Sequence, residues 1–339
     1  MKKFFPVSGS RLILVMTALL GTLVWQGCAS DGADGASAKD KPAAERKSLP
    51  AVSKDSLYHF VASQVNFGPR VVNSEGHRAC RDWLADKFRS FGWEVQLQDF
   101  QARAYTGEML NGSNIIASWN PEASRRVLLC AHWDTRHMAD YDPDEERRNE
   151  PILGADDGGS GVAVLLEIAR LIPQQDISSG VDIVLFDAED YGNDNGQDSE
   201  SWGLGSQHWS KNLHKPGYTA EFGILLDMVG SKGARFPKEG ISMQFAPQIV
   251  DKVWKTAKSM GYGHMFVNDR DGYITDDHLF VNMNAKIPTI DIINRRANQE
   301  FGIHWHTHMD DLNVIDKNTL RAVTKVVQKV VADFDEGIF

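Results

Sequence analysis

Beyond about position 50, the apolar residues of this chain follow two spacings that alternate along the sequence. In some stretches they recur every three or four residues, which predicts helices with one buried face. These stretches are residues 53–65, 74–92, 159–172, 246–261 and 317–334. Other runs are short and continuously apolar, which predicts strands that are buried on both faces. These runs are residues 114–119, 126–133, 181–188, 222–229 and 286–293.

This alternation of helices and strands predicts the fold class. It is typical of an α/β protein, in which helices flank both faces of an open, twisted, mostly parallel mixed sheet. We expect a single domain of this kind over residues 51–339, because 42% hydrophobic and 24% charged residues are typical of a globular protein with a large core. Two long polar segments, residues 136–153 and 192–204, interrupt the pattern and are either solvated loops or walls of a pocket.

The N-terminal segment has another pattern. Three basic residues precede one apolar run that is too short and too close to the start for a membrane span. We therefore expect residues 1–27 to be a signal peptide. The run ends in Gly27 and Cys28, a pair that resembles the bacterial lipoprotein signal, in which the cysteine becomes the lipidated first residue. Secretion with an unmodified Cys28 is the alternative.

Residues 28–50 are small, charged and almost free of large apolar side chains, so they cannot offset the entropy cost of ordering. We expect them to form a tether, and the protein to be exported, periplasmic and membrane-bound only through a lipid anchor at Cys28. Removing residues 1–27 takes away three positive charges and shifts the formal net charge from −10 to −13. An acidic protein without a basic cluster is not expected to bind nucleic acid.

Two cysteines remain in the expected domain. Cys80 lies in a predicted helix and Cys130 in a predicted strand. An exported protein can form a disulfide between Cys80 and Cys130, but two buried free thiols are the more common arrangement. Spacing along the sequence does not decide between the two.

Carboxylates follow three predicted strands directly. The runs 126–133, 181–188 and 222–229 each lead into a polar cluster. The residues concerned are His132, Asp134, Asp187, Glu189, Asp190 and Asp227. Since ligands of open α/β sheets bind beyond the C-terminal ends of the strands, these groups are expected to meet in one crevice. Asp156 and Asp157 come just before a predicted helix and either join this crevice or cap the helix.

Zinc is the cation that such a cluster favours. Converging carboxylates are costly to bury unless a cation neutralises them. Magnesium and calcium take oxygen ligands and leave the histidines of residues 304–311 without a role. Zinc accepts imidazole and carboxylate ligands together and leaves one position open for chemistry.

Six motifs carry a specific resemblance. They are "AHWD", "GADDGGSG", "FDAEDYG", "LLDMVG", "TDDH" and "WHTHMD". Their order and approximate spacing are similar to those of the zinc-dependent aminopeptidase superfamily. Within that superfamily the chain resembles the exported bacterial glutaminyl cyclases, or glutaminyl-peptide cyclotransferases. The resemblance covers residues 53–339 and implies a zinc aminopeptidase-like fold.

The resemblance also implies a role for each matching residue. The implied zinc ligands are Asp157, Asp190 and His306, which hold one ion and leave a fourth position open. Glu189 matches the general acid/base. Asp227 and Asp276 form an implied acidic pair that shares a proton near Glu189. Asp190 stands where many relatives have Glu, so the metal is expected to be held slightly differently.

The motif around His306 does not decide the roles of the neighbouring residues. We expect Trp305 and Trp202 to line the substrate pocket, with core packing as the alternative for Trp305. His304 and His308 flank the matched ligand and have no role in the resemblance. Each is either a support for a neighbouring group or a surface histidine.

Ligand positions do not decide how many metal ions the site holds. His132 and Asp227 match positions that bind a second zinc in dinuclear aminopeptidases. His132 and Asp134 are therefore either second-metal ligands or supports of the other ligands. One zinc per chain is what the resemblance to the cyclases implies.

The function implied is conversion of the N-terminal glutamine of peptides and proteins to pyroglutamate, with release of ammonia. A dinuclear zinc aminopeptidase is the alternative, because the same zinc and Glu189 would then activate water. A binding lipoprotein without catalysis is a third hypothesis. The intact Glu189 beside three intact ligand positions argues against it.

Overall fold

The computed structural model describes residues 48–194 and 199–339. In these residues the strands are β1 (Glu94–Arg103), β2 (Met109–Trp119), β3 (Arg126–His132), β4 (Gly180–Phe186), β5 (Phe222–Asp227), β6 (Phe236–Lys238), β7 (Phe266–Arg270) and β8 (Thr289–Ile293). The α-helices are α1 (Lys54–Val65), α2 (Glu75–Ser90), α3 (Gly159–Leu171), α4 (Leu204–Lys211), α5 (Gly240–Phe245), α6 (Pro247–Ser259), α7 (Asp277–Phe280) and α8 (Lys317–Asp335). Short helical turns lie at Glu145–Arg147, Ile172–Gln174, Ser199–Ser201 and Val281–Ala285.

The expected signal peptide over residues 1–27, the lipidation site Cys28 and most of the expected tether lie outside the described residues. Among the helices that are described, none combines the length and apolarity that a membrane crossing requires.

Six strands form the main sheet, in the order β1-β2-β4-β3-β5-β8. The pairs β4–β3, β3–β5 and β5–β8 are parallel, whereas β1–β2 and β2–β4 are antiparallel. Every residue of β3, β4 and β5 is buried, as their continuous apolar runs predict. The predicted mostly parallel mixed sheet is confirmed.

Helices cover both faces of this sheet. Along β3, Leu129 packs in the large core cluster that includes residues of α1, α3 and α8. The preceding residue, Leu128, packs in a smaller cluster with Trp209 of α4. Successive side chains of a strand point to opposite faces, so these two clusters are the two layers beneath the helices. Cys80 and Cys130 are free and buried.

Some elements are absent from the sequence-based prediction. β1, at one edge of the sheet, exposes alternate residues such as Asp99 and Gln101. It therefore lacks the continuous apolar run that identifies the central strands. The helix α4 was not predicted; it begins at Leu204, the last residue of the segment 192–204 for which a polar loop was an expectation.

We predict that Ile224→Ala lowers the free energy of unfolding by about 3 kcal/mol, since truncating a buried isoleucine costs about 2–5 kcal/mol. Ile224 is fully buried in the central strand β5. Ile338→Ala is the matched control, because that side chain is 52% exposed. Urea unfolding followed by circular dichroism measures both. Equal losses in the two variants would contradict the packing described here.

Candidate metal centre and active site

The C-terminal edge of the parallel strands gathers the predicted site residues. β3 ends at His132 and β5 ends at Asp227. Glu189 and Asp190 follow the end of β4, and Asp157 lies two residues before α3. Because these strands run parallel, their ends meet at one crevice.

Asp157, Asp190 and His306 form a buried group whose ligand atoms lie within 4.8 Å of one another. Nε2 of His306 lies 3.2 Å from Oδ1 of Asp190 and 3.9 Å from Oδ2 of Asp157. Both carboxylate oxygens of Asp190 are buried and lack a hydrogen-bond partner. Two carboxylates and an imidazole at this spacing are a donor set that zinc accepts. The predicted ligands therefore fit a zinc ion.

A second group shares Asp157 with the first. Nε2 of His132 lies 3.0 Å from Oδ1 of Asp157 and 3.3 Å from Oδ1 of Asp227. All three residues are buried and offer ligand atoms within 4.8 Å. The positions that bind a second zinc in dinuclear enzymes are thus also assembled, as the alternative prediction requires.

Asp134 supports the ligands. Its Oδ1 accepts a hydrogen bond from the backbone N–H of Glu189 at 3.1 Å, and its Oδ2 accepts one from Asp190 at 3.2 Å. The Nδ1 atom of His132 lies 3.5 Å from Oδ1 of Asp134. Of its two predicted roles, the contacts favour support of the ligands. The carboxylate orients one histidine and fixes the loop that carries the predicted acid/base.

The loop before α3 is held from the C-terminal motif. Asp310 accepts hydrogen bonds from the backbone N–H groups of Asp156 at 2.7 Å and Asp157 at 3.1 Å. Nε2 of His304 lies 2.9 Å from Oδ2 of Asp156. Nδ1 of His308 lies 2.8 Å from Oδ2 of Asp142. His304 therefore supports the loop of Asp156, and His308 supports the loop of Asp142. Neither histidine belongs to the two metal-binding groups described above.

Glu189 lies at the wall of the crevice and is 7% exposed. Burial raises the pKa of Glu189 well above its usual value; His132 opposes this effect, while Asp276 and Asp190 add to it. The preceding residue, Ala188, has φ 53°. A left-handed conformation is uncommon for alanine, so the loop is held by its contacts to Asp134. A carboxylate with a raised pKa is suited to accept and return a proton.

Three further buried carboxylates have raised pKa values. Burial raises the pKa of Asp227 well above its usual value, with Asp157 and Asp276 adding to it and His132 opposing it. Burial likewise raises the pKa of Asp276. Asp291, in β8, is fully buried, and burial next to Asp276 and Asp227 raises its pKa well above its usual value. Close buried carboxylates hold protons between them. The expected sharing of a proton between Asp227 and Asp276 stays a prediction.

Asp291 did not feature in the sequence-based prediction. Its only signal is a single acid inside an apolar strand, "PTIDII". An ionisable residue at such a position is unusual unless it has a partner. This pattern marks Asp291 as unusual, but it does not predict which residues lie next to it.

The crevice is a cavity of about 270 Å³, close to the lower end of the range of about 300–1,000 Å³ that ligand pockets occupy. Its lining includes the first metal-binding group, Glu189, Asp227, Asp276, Trp202 and Trp305. The centre of the Trp305 ring lies 3.8 Å from the centre of the His306 ring, and the two rings are stacked. The Trp202 ring is also stacked with the His306 ring, with the two centres 6.2 Å apart. Both tryptophans thus line the pocket, where they were expected.

We predict a pH-dependent loss of stability for Glu239→Gln. Burial alone would raise the pKa of Glu239, but the hydrogen bond with His278 and those from the backbone N–H groups of Ser242 and Ile241 lower it to about 2. Because the pKa is lowered in the folded state, its stabilisation is present above the unfolded value of about 4.5 and is lost as the pH falls toward 2.

The variant should therefore lose about 2–3 kcal/mol of unfolding free energy at pH 7. The difference from the parent protein should shrink below about pH 4.5. The exposed Glu94→Gln is the control. A loss that stays constant from pH 7 to pH 3 in urea titrations would contradict the assignment. Glu239 matters to the site because it also accepts the backbone N–H of Ile274, in the segment that leads to Asp276.

Comparison with known proteins identifies the class that this fold and site define. The sequence profile of Peptidase family M28 matches residues 114–331. This match spans more than half of the chain. The chain belongs to peptidase family M28, and its zinc aminopeptidase-like fold is confirmed.

Within that family the chain belongs to the glutaminyl cyclases. A crystal structure of glutaminyl cyclase from Bacteroides thetaiotaomicron shares 50% sequence identity and a TM-score of 0.83, covering 84% of this chain and 99% of that one. A glutaminyl-peptide cyclotransferase from Drosophila melanogaster is 25% identical over 295 residues, 78% of this chain and 77% of its own length. A solved structure described as a leucine aminopeptidase precursor from B. thetaiotaomicron also shares 50% identity, with a TM-score of 0.82 over 84% of this chain and 99% of that one.

Proposed function

We propose that this chain is a zinc-dependent glutaminyl-peptide cyclotransferase that converts the N-terminal glutamine of peptides and proteins to pyroglutamate. One observation carries the proposal. Glu189 lines the same small cavity as Asp157, Asp190 and His306, and Trp202 and Trp305 also line it. An acid/base group and a metal-binding group are thus both within reach of one bound residue.

The reaction joins two ends of one glutamine. The α-amine nitrogen attacks the carbonyl carbon of the side-chain amide, the ring C–N bond forms, and the amide C–N bond breaks to release ammonia. Glu189 accepts a proton from the attacking amine and returns it to the departing nitrogen. Asp157, Asp190 and His306 would hold a zinc ion, which would supply Lewis-acid polarisation of the amide carbonyl.

The acidic pair completes the pocket around the amine. Asp227 and Asp276 line the cavity beside Glu189 and have raised pKa values. One carboxylate of a pair that shares a proton remains an acceptor for an N–H group while the other is neutral. Such a pair can hold the substrate nitrogen close to Glu189. Trp202 and Trp305 exclude water, so that the substrate's own amine, and not a water molecule, is the nucleophile.

We further propose one zinc per chain. His132 belongs to the second group of candidate ligands but does not line the cavity, whereas all members of the first group do. The dinuclear aminopeptidase remains the second candidate function, because the second group is assembled. Metal analysis of the purified protein separates them. One equivalent of zinc at full activity supports the proposal, and activity that requires two equivalents favours the aminopeptidase.

The function is tested by incubating the zinc-loaded protein with a glutamine-initiated peptide and with an amino-acid anilide. Ammonia release from the peptide and amine release from the anilide are followed in parallel. The proposal requires the first reaction and at most a trace of the second. Release from the anilide alone would overturn it. A protein that binds the peptide and catalyses neither reaction would instead support the non-catalytic hypothesis.

We also propose that the protein is exported and held at the membrane by a lipid on Cys28. The support is the pattern of residues 1–28 and the polar composition of residues 28–50. Cys28→Ser in the full chain, with fatty-acid labelling and membrane fractionation, is the test. The parent protein should carry the label and fractionate with membranes, and the variant should lose both. Equal labelling of the two proteins would contradict the anchor, since Cys80 and Cys130 remain in the variant.

A further inference from the structure

We propose that the ion pair between Arg136 and Asp140 positions the metal-binding group: Asp140 fixes the ring of His306, and Arg136 fixes Asp140, the Asp190 loop and the wall residue Trp202. The inference rests on the proposed zinc site. Both residues belong to the polar segment after β3, for which a solvated loop was one expectation. Neither residue has a role in the motifs discussed above.

Asp140 faces the outer nitrogen of the ligand histidine. Its Oδ1 lies 3.3 Å from Nδ1 of His306, while Nε2 of the same ring faces Asp190 and Asp157. Metal-binding histidines usually donate their second ring N–H to a carboxylate or carbonyl, which sets the tautomer and the ring orientation. The backbone of His306 is also constrained, because its φ of 53° is uncommon for a side-chain-bearing residue. The backbone N–H of Tyr141 also donates to the carbonyl oxygen of His306, at 3.2 Å.

Arg136 in turn fixes Asp140. Its Nη2 lies 2.6 Å from Oδ2 of Asp140 and its Nε lies 3.2 Å from Oδ1, so the two planar groups meet at both ends. The Arg136 side chain is only 1% exposed. A two-pronged contact of this kind sets an orientation as well as a charge, which a lysine cannot reproduce.

The remaining contacts of Arg136 reach the other side of the metal-binding group. Its Nη1 donates to the backbone carbonyl oxygens of Asp190 at 3.0 Å and Gly192 at 2.8 Å. Its guanidinium lies 5.0 Å from the centre of the Trp202 ring. One side chain therefore connects the loop of a ligand carboxylate, the partner of the ligand histidine and a wall of the pocket. Displacing it should disturb all three together.

Zinc affinity in Asp140→Asn tests the inference. The full chain is titrated with zinc against a competing chelator, without substrate. We expect binding about 10–100-fold weaker than in the parent protein, which is the usual effect of losing such a partner. Cobalt in place of zinc should give an altered visible absorption spectrum, because that spectrum reports ligand geometry. A change of overall stability alone would leave the spectrum unchanged.

Glu145→Gln is the matched control. It removes one carboxylate of an ion pair with Arg148 in the same segment, but the Glu145 side chain is 80% exposed. Zinc affinity should stay within about twofold of the parent value, as expected for an exposed pair. Parent-like zinc affinity and cobalt spectrum in a folded Asp140→Asn would overturn the inference.

Arg136→Lys decides the question if Asp140→Asn does not fold. It keeps the charge and removes the two-pronged contact. Weakened zinc binding in this folded variant supports the inference, and unchanged binding refutes it. Because these measurements involve no substrate, a parent protein that binds zinc but does not cyclise glutamine would contradict the proposed function and leave this inference standing.

Discussion

Glu189→Gln is expected to lower kcat for the glutamine-initiated peptide by about 10³-fold, within the range of about 10²–10⁴ that a positioned acid/base group contributes. The amide keeps the size of the side chain but can neither accept nor return the proton. Glu189 is not a member of either metal-binding group. Zinc content, the circular dichroism spectrum and the unfolding midpoint should therefore match those of the parent protein.

The control for this variant is Glu122→Gln, whose side chain is 90% exposed and pairs with Lys215 at the surface. Its kcat should be unchanged. A Glu189→Gln variant with full zinc content and parent-like kcat would remove Glu189 from the mechanism. A variant that lost zinc and activity together would assign Glu189 to metal binding instead.

His306→Ala is expected to lose both zinc and activity. The imidazole supplies the nitrogen ligand of the group with Asp157 and Asp190, and two carboxylates alone are a weak zinc site. The loss of affinity should exceed the roughly 10–100-fold effect of losing an outer partner. Chelator competition and metal analysis after gel filtration measure it.

His308→Ala is the matched control, two residues further along the same motif. His308 contacts Asp142 and belongs to neither metal-binding group in the described part of the chain. It should retain zinc and most of the activity. The reverse result, with zinc lost in His308→Ala and kept in His306→Ala, would overturn the assignment of the ligand histidine.

The sheet could be predicted because burial on both faces leaves a mark in the sequence. β3, β4 and β5 each contain a largely apolar run, interrupted in β4 by Asp182, and the carboxylates at their ends indicated where a site would lie. β1 has no such run, since many of its side chains are exposed. The hydrophobic pattern therefore predicts the central strands and the edge strand β8, but not the edge strand β1.

For the site, the sequence showed which residues assemble, and the structure showed how they are held. Asp134 could be assigned no single role until its hydrogen bonds to the backbone N–H groups of Glu189 and Asp190 were visible. Arg136 and Asp140 lie in a segment whose charges are typical of a solvated surface. Arg136 is buried and Asp140 partly buried through contacts with residues far along the chain, such as His306. Local spacing does not record contacts of that kind.

The most direct test of the central claim uses one peptide that reports both candidate reactions. A peptide with N-terminal glutamine and a blocked C-terminus is incubated with the zinc-loaded protein and analysed by mass spectrometry. We predict a product of unchanged length that has lost one ammonia and resists Edman degradation, with no free glutamine, and no such product with Glu189→Gln. Free glutamine and a peptide shortened by one residue would contradict the cyclase and identify an aminopeptidase.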